Sequence, residues 1–351
     1  MTPSPNSITL CYLLIHRMLA STILADINNH LRIHMHAVFL DLQTFSPNAS
    51  LDSIKAQVTD ITCYQTTQHS QIITRCKNAD VIITNKVVLT ADLIKNLPQL
   101  SLICIAATGT NNVDTSAATQ LGIAVTNVSG YANNSVAQYV FSQICDYYSL
   151  TQHHHKNTEQ GLWQTSDTFC YHGDGITELA GKTLGIIGYG SLGKSVAKIA
   201  QAFEMKVLIA ERKNVTITRD NRTPLQQVIE QADILSLHCP QTTETTQLVN
   251  QQFLTDMKST AMLINSARGA LIDNQALLSA LKQHQIAYAV LDVLEQEPPP
   301  ADHILLSSEL KNLKITAHIA WASTEAQQKL LNIIAKNIES FNNKQQLNRI
   351  N

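Results

Sequence analysis

The chain has no run of basic residues, no CxxC cysteine pair, no apolar stretch long enough to cross a membrane and no internal repeat. A formal charge of −2 over 351 residues gives no electrostatic footprint for nucleic acid, and no local cluster supplies one. The seven cysteines (Cys11, Cys63, Cys76, Cys104, Cys145, Cys170, Cys239) are odd in number and dispersed. That set fits reduced thiols in the cytoplasm better than a disulfide framework or a zinc site. The apolar run at 8–15 is interrupted by His16 and Arg17 and follows no basic region, so it reads as neither a membrane span nor a signal peptide. A cleaner start for the fold is Met35, with residues 1–34 as an extension outside it.

What is present is material for two domains, with 44% hydrophobic residues. From residue 37 to about 130, short apolar runs (37–40, 80–84, 101–106, 122–126) alternate with helical stretches such as 91–97. That is βαβ alternation and implies a parallel sheet. Residues 136–150 read as one apolar helix crossing between domains. Residues 151–178 are polar and read as irregular. Six further strands, near Leu184, Val207, Ile234, Ala261, Ala287 and Leu313, make the complement of a dinucleotide fold. A last helix is expected over 325–341, followed by a frayed tail.

The second alternation opens on the most informative stretch of the chain. An apolar strand at 184–187 enters a turn carrying Gly188, Gly190 and Gly193, an apolar-periodic helix follows, and the next strand ends in Glu211. Gly188 permits the tight turn, Gly190 lets backbone approach a pyrophosphate, and Gly193 lets helix and strand pack closely. The helix N-terminus supplies free N–H groups and partial positive charge. Glu211 is placed to accept from the adenosine ribose hydroxyls and to repel a 2′-phosphate, which favours NAD. Arg212 and Lys213 follow it and leave NADP as the alternative. The same residues also spell Gly188-x4-Gly193-Lys194-Ser195, the phosphate loop of nucleoside triphosphatases. That reading leaves Glu211 without a task.

Three late strands end in polar groups: Arg268 after 261–265, Asp292 and Glu297 after 288–291, and His318 after 313–316. Ligands of an open parallel sheet bind outside the carboxyl ends of its strands. Singly, each residue is more often a loop charge, a turn cap or a structural histidine; jointly they mark a site. His153, His154 and His155 suggest a metal, but adjacent histidines rarely close a site without further ligands. They read better as a solvated or subunit-contact segment, in which Trp163 is equally a subunit-interface anchor or a structural tryptophan.

The segments Gly181-Lys-Thr-Leu-Gly-Ile-Ile-Gly-Tyr-Gly, Asn265-Ser-Ala-Arg268-Gly, Leu291-Asp292-Val-Leu-Glu-Gln-Glu297-Pro298 and His318-Ile-Ala-Trp321 resemble the D-isomer-specific 2-hydroxyacid dehydrogenase family. The resemblance spans residues 35 to about 341. With Thr84-Asn-Lys-Val-Val-Leu89 and Trp321, it runs to the family's glycerate dehydrogenases (hydroxypyruvate reductases). It implies an α/β protein of two Rossmann-like domains with parallel sheets and a cleft between them. Residues 35–132 plus 318–351 would form a flavodoxin-like substrate domain, and 133–317 the NAD-binding domain.

The resemblance makes His318 the general acid/base, Glu297 its carboxylate partner and Arg268 the substrate clamp, with no metal. It assigns cofactor contacts to Gly188, Gly190, Ser191, Leu192, Gly193, Glu211, Cys239, Pro240, Ser266, Ala267, Asp292 and Ala320, Asp292 accepting from the nicotinamide carboxamide. Ala107, Thr108 and Gly109 would bind the substrate carboxylate through backbone N–H groups, on a loop that departs from the family's more glycine-rich form. The implied activity is NAD(H)-dependent reduction of hydroxypyruvate to D-glycerate, and of glyoxylate to glycolate, in a cytoplasmic homodimer. Alternatives are a 3-phosphoglycerate dehydrogenase-like enzyme and a non-enzymatic, NADH-sensing corepressor-like protein. Glu297 disfavours the family's formate-oxidising branch.

Overall fold

The computed structural model describes residues 35–215 and 217–351, so the reading of residues 1–34 as an extension lies outside the described residues. The chain divides into two compact units: the described residues up to Ser129 together with Gln328–Asn351, and Gly130–Gln327.

The first unit carries five strands, β1 (His36–Phe39), β2 (Asp60–Cys63), β3 (Val81–Thr84), β4 (Leu102–Ile105) and β5 (Ala124–Thr126), in the order β2-β1-β3-β4-β5. Every pairing is parallel. β3 and β4 are buried along their length, as unbroken apolar runs in a two-faced sheet should be. The strand order reverses between β1 and β3, where such sheets commonly take a ligand. Here that point is closed from within. The buried Asp41 carboxylate accepts from the backbone N–H groups of Asn85 (2.9 Å), Lys86 (2.6 Å) and Val87 (3.2 Å). An internal anion thus fills the nest that a phosphate would otherwise occupy.

The expected frayed tail is instead built into this unit. Arg349 bridges Thr126 in antiparallel fashion, and the Ile350 N–H donates to Val125 O (2.9 Å). Asn351 accepts from the Val125 N–H (2.8 Å) and donates to Ile123 O (2.8 Å). The tail therefore covers the exposed edge of β5, whose unpaired backbone groups would otherwise face solvent. Polar residues at a chain end read as frayed because this pairing is made by main chain and the Asn351 amide, with no apolar run.

The second unit holds β6 (Thr183–Ile187), β7 (Lys206–Ile209), β8 (Ile234–Leu237), β9 (Met262–Asn265), β10 (Tyr288–Leu291) and β11 (Leu313–Ile315), in the order β11-β10-β9-β8-β6-β7. All pairings are parallel. Beyond β7, Ala210 makes one further parallel bridge to Thr223. The helix Asn133–Ser149 lays Val136, Ala137, Val140, Phe141 and Ile144 into the core of this unit. It ends at Leu150, whose φ is 50°. A second helix then runs Thr151–Glu159 where the sequence suggested irregular chain. It carries no apolar stripe, and His155 meets Glu159 at 3.5 Å and His153 meets Asp174 at 2.8 Å. Among the described residues no helix is long and apolar enough to cross a membrane.

The two compact units divide at Ser129/Gly130 and Gln327/Gln328, where the sequence suggested 132/133 and 317/318. The second shift has a physical cause. Asp292 and Ser135 both bond the backbone of the segment after β11, keeping His318 and Trp321 with the second unit. The return to the first unit is made inside the helix Thr324–Asn342.

Candidate active site

The strand register sets the site. Ile187, Leu237, Asn265, Leu291 and Ile315 lie in one row across five parallel strands. The residues that follow them, Gly188, His238, Ser266, Asp292 and Thr316, therefore leave the sheet at the same edge.

Gly188 has φ 97°, and a Cβ there would run into the main chain of His238 and Cys239. A Cβ on Gly193 would meet the carbonyl oxygen of Gly188, so helix and turn touch backbone to backbone. At Gly190 nothing lies within 4 Å of a Cβ position, which leaves the turn open. The helix Ser191–Ala202 begins there without a side-chain cap, so its first N–H groups are unclaimed. Ser266 Oγ, on the same edge, is buried without a partner. Open space, free N–H groups and an orphaned hydroxyl fit a dinucleotide pyrophosphate and its flanking groups. The phosphate-loop alternative finds no support: Ser195 Oγ donates along its own helix to Ser191 O (3.1 Å).

Glu211 is not free. Arg219 donates from Nε to Oε2 (2.8 Å) and from Nη2 to Oε1 (2.5 Å), while the N–H groups of Arg212 (2.8 Å) and Arg219 (3.1 Å) donate one to each oxygen. Those bonds, the Arg219 guanidinium first, hold the carboxyl well below the usual carboxylate range. Glu211, expected to accept from ribose hydroxyls, thus takes four N–H donors from the chain itself, as many as a carboxylate ordinarily accepts.

Past β9, Asn265 cinches the turn that presents Arg268, accepting from the Ala267 N–H (3.0 Å) and donating to Arg268 O (2.8 Å). Gly269 lies flat on the Leu294–Glu295 peptide, where any Cβ would collide with backbone. This contact joins the arginine turn to the loop carrying Glu297. There, Glu297 accepts from the Leu294 N–H (3.0 Å) and meets His318 Nδ1 at 2.7 Å. Both side chains keep partial exposure, 34% and 26%.

His318 has φ 54°, an uncommon conformation for a side chain of this size. Asp292 holds it there. Its buried carboxylate accepts from Thr316 Oγ1 (2.6 Å) and from the N–H groups of Ile319 (2.9 Å) and Ala320 (2.8 Å). Tyr139 shares a hydrogen bond with Thr316 (2.6 Å), and Ser135 donates to Ala320 O (2.7 Å). Tyr131 packs edge-on to Trp321 with 6.2 Å between ring centroids. Burial pushes the Tyr131 phenol up to about 12, against the opposing charge of Arg268. The sequence pointed to Asp292 but not to Tyr131, Ser135, Tyr139, Asn265 or Thr316. Only the Asn265-to-Gly269 and Leu291-to-Pro298 motifs hinted at such support.

Ser191, Leu192, Cys239, Pro240, Ala267 and Ala320 all lie at this edge or on the helix rising from it. The Cys239 thiol is pushed up to about 11 by burial, so it is no thiolate nucleophile. Ala107, Thr108 and Gly109 follow β4 in the first unit. There the Val128 N–H donates to Ala107 O (3.1 Å) and Thr108 Oγ1 donates to Val128 O (2.8 Å).

His238 was not singled out by sequence. Its Nε2 meets Ser236 Oγ at 2.9 Å, its Nδ1 is sealed without a partner, and burial lowers its pKa from 6.5 to about 4. Between those values the unfolded chain takes up a proton that the native ring refuses. Stability should therefore fall as pH drops through that window. The loss is at most about 3–4 kcal/mol, less in proportion to the residue's partial exposure. Melting temperatures of the protein and of His238→Gln across pH 4–7 test this; parallel curves would defeat it.

An α/β sheet with an open glycine turn, and an arginine and a histidine–glutamate pair at its strand ends, defines a dinucleotide-dependent oxidoreductase. The family model "D-isomer specific 2-hydroxyacid dehydrogenase, NAD binding domain" matches residues 141–320. A Haemophilus influenzae relative described as a 2-hydroxyacid dehydrogenase is 43% identical over 88% of this chain and 98% of its own. The glycerate dehydrogenase of Methylorubrum extorquens is 42% identical over 77% of this chain and 85% of its own. The hydroxypyruvate reductase of Blautia hydrogenotrophica is 35% identical over 78% and 86%. Among solved structures, an acyclic imino acid reductase in complex with NADPH and D-Arg is similar with TM-score 0.77 and 28% identity, over 90% of this chain and all of that one. The TT0316 protein of Thermus thermophilus is similar to the same degree. The chain belongs to the D-isomer-specific 2-hydroxyacid dehydrogenase family, and its cofactor is NAD(P).

Proposed function

We propose that this protein reduces hydroxypyruvate to D-glycerate, with glyoxylate as a second substrate. The observation that carries the reading is the 2.7 Å His318–Glu297 pair, leaving the same sheet edge as Arg268. Relatives named glycerate dehydrogenase, hydroxypyruvate reductase and glyoxylate reductase support it.

A bound reduced nicotinamide supplies the hydride. The chain's residues do the rest. The turn at Gly188, Gly190 and Gly193 and the N–H groups at Ser191 and Leu192 receive the pyrophosphate. Cys239, Pro240, Ser266, Ala267, Asp292 and Ala320 border the dinucleotide. Arg268 offers a planar fork to the substrate carboxylate and polarises the reacting carbonyl. Glu297 holds His318 at Nδ1 and stabilises the imidazolium, so Nε2 is the atom that gives its proton to the developing alkoxide.

Oxidation of NADH or NADPH with hydroxypyruvate, glyoxylate, pyruvate and phosphohydroxypyruvate tests the reading. Hydroxypyruvate should give kcat/KM at least about tenfold above pyruvate. Preference for phosphohydroxypyruvate would favour the phosphoglycerate alternative, and no turnover with tight dinucleotide binding the sensor.

We also propose a homodimer. Phe169 is 91% exposed, with Ile176 at 66% and Trp163 at 52% in the same segment, an apolar surface that water should not face. Sedimentation should show a dimer that Phe169→Ser with Ile176→Ser weakens; a monomeric parent protein would refute it.

A further inference from the structure

We propose that Arg219 sets the cofactor preference by neutralising Glu211, so that the end of β7 reads the 2′-phosphate of NADP(H) despite its acid. An acid at this position ordinarily accepts the ribose hydroxyls and repels a phosphate there. In this chain the Glu211 carboxylate is 4% exposed and takes four N–H donors, two from the Arg219 guanidinium and two from backbone. A carboxylate has about four acceptor positions, so none remains for a ribose diol. Binding NADH in the usual way would first break a bidentate, charge-assisted pair.

The same pair prepares the opposite choice. Arg219 spends Nε–H and one Nη2–H on the acid, and its side chain is 53% exposed. Of the five donors a guanidinium carries, three remain for an incoming anion. The surroundings agree. The Arg222 guanidinium lies 5.0 Å from the ring centroid of Tyr189, inside the glycine turn. Arg212 and Lys213 follow the acid with exposed side chains. Along residues 211–222 the cations Arg212, Lys213, Arg219 and Arg222 outnumber Glu211 and Asp220. A phosphomonoester, carrying roughly −1.5 to −2 charge at neutral pH, is favoured in that field.

The inference rests on the reading that the second unit binds a nicotinamide dinucleotide, and direct binding separates the two. Titrations of the full chain with NADPH and with NADH, followed by nicotinamide fluorescence without substrate, should give an NADPH Kd no weaker than that for NADH. Arg219→Ala bares the acid. It should weaken NADPH by about tenfold or more while NADH holds or tightens, a loss equal to about 1.4 kcal/mol. Glu211→Gln, which keeps the shape and frees the guanidinium, should leave NADH binding intact and tighten NADPH. Tenfold tighter binding of NADH by the parent protein overturns the proposal. So does an unmoved ratio in Arg219→Ala, or loss of NADH binding in Glu211→Gln. Absence of binding by either dinucleotide overturns the proposal and the proposed function together, whereas binding of both with an unmoved ratio overturns this proposal alone.

Discussion

Replacing His318 with glutamine should lower kcat for hydroxypyruvate by about 10²–10⁴-fold, the usual worth of a positioned general acid, with dinucleotide binding unchanged. Glutamine keeps a polar side chain of similar reach but has no proton to give at neutral pH. The glycine turn and the helix Ser191–Ala202 do not involve His318, so NADH and NADPH should still bind as before. Glu297→Gln should cost less. An amide oxygen can still accept from Nδ1 where Glu297 Oε2 now meets it at 2.7 Å, but the charge that stabilises an imidazolium is gone. The order matters more than either value. Stopped-flow single turnovers, which separate chemistry from product release, are the measurement to use. If His318→Gln turned over within a factor of about three of the parent, proton donation would have to come from elsewhere.

Much of this could be read from sequence, for reasons that differ by element. Buried parallel strands are apolar along their length, so β3, β4, β6, β8 and β9 announce themselves, and glycine spacing declares the turn at Gly188. β2 gave no such signal. It pairs only with β1 at the sheet edge and is partly exposed, so Asp60–Cys63 lacks the apolar run. The tail on β5 was missed because main-chain pairing and the side chain of one ordinary residue, Asn351, hold it, with no apolar run to mark it. At the site, the chemically loud residues Arg268, Glu297 and His318 stand out, while their supports do not. Asn265, Thr316, Ser135 and Tyr139 are common polar residues whose task depends on what the register places opposite them. Glu211 shows the limit most sharply. Its position on the strand was readable, but its partner comes from a loop eight residues on, and nothing local in the sequence pairs the two.

Asp292→Ala should both destabilise the protein and cut turnover by about 10²-fold or more, the cost that misplacing a reacting group by an ångström carries. The carboxylate is 1% exposed and receives the Thr316 hydroxyl and the Ile319 and Ala320 N–H groups. Alanine would leave these donors without an acceptor in a dry place, at roughly 1–3 kcal/mol for each that finds no replacement. At about 2–4 °C per kcal/mol for a unit of this size, the melting temperature should fall by roughly 10 °C. The catalytic loss follows from the same bonds, since they hold the backbone on the far side of His318 while its φ stays at 54°. Asp292→Asn is the sharper variant. Its oxygen can replace one acceptor, but its amide would present N–H groups to other donors, so turnover should still fall steeply while stability falls less. A different role would leave a different trace. If Asp292 served chiefly to receive the nicotinamide carboxamide, Asp292→Ala would weaken dinucleotide binding while its melting temperature matched the parent's. That result would remove Asp292 as the anchor of the histidine loop.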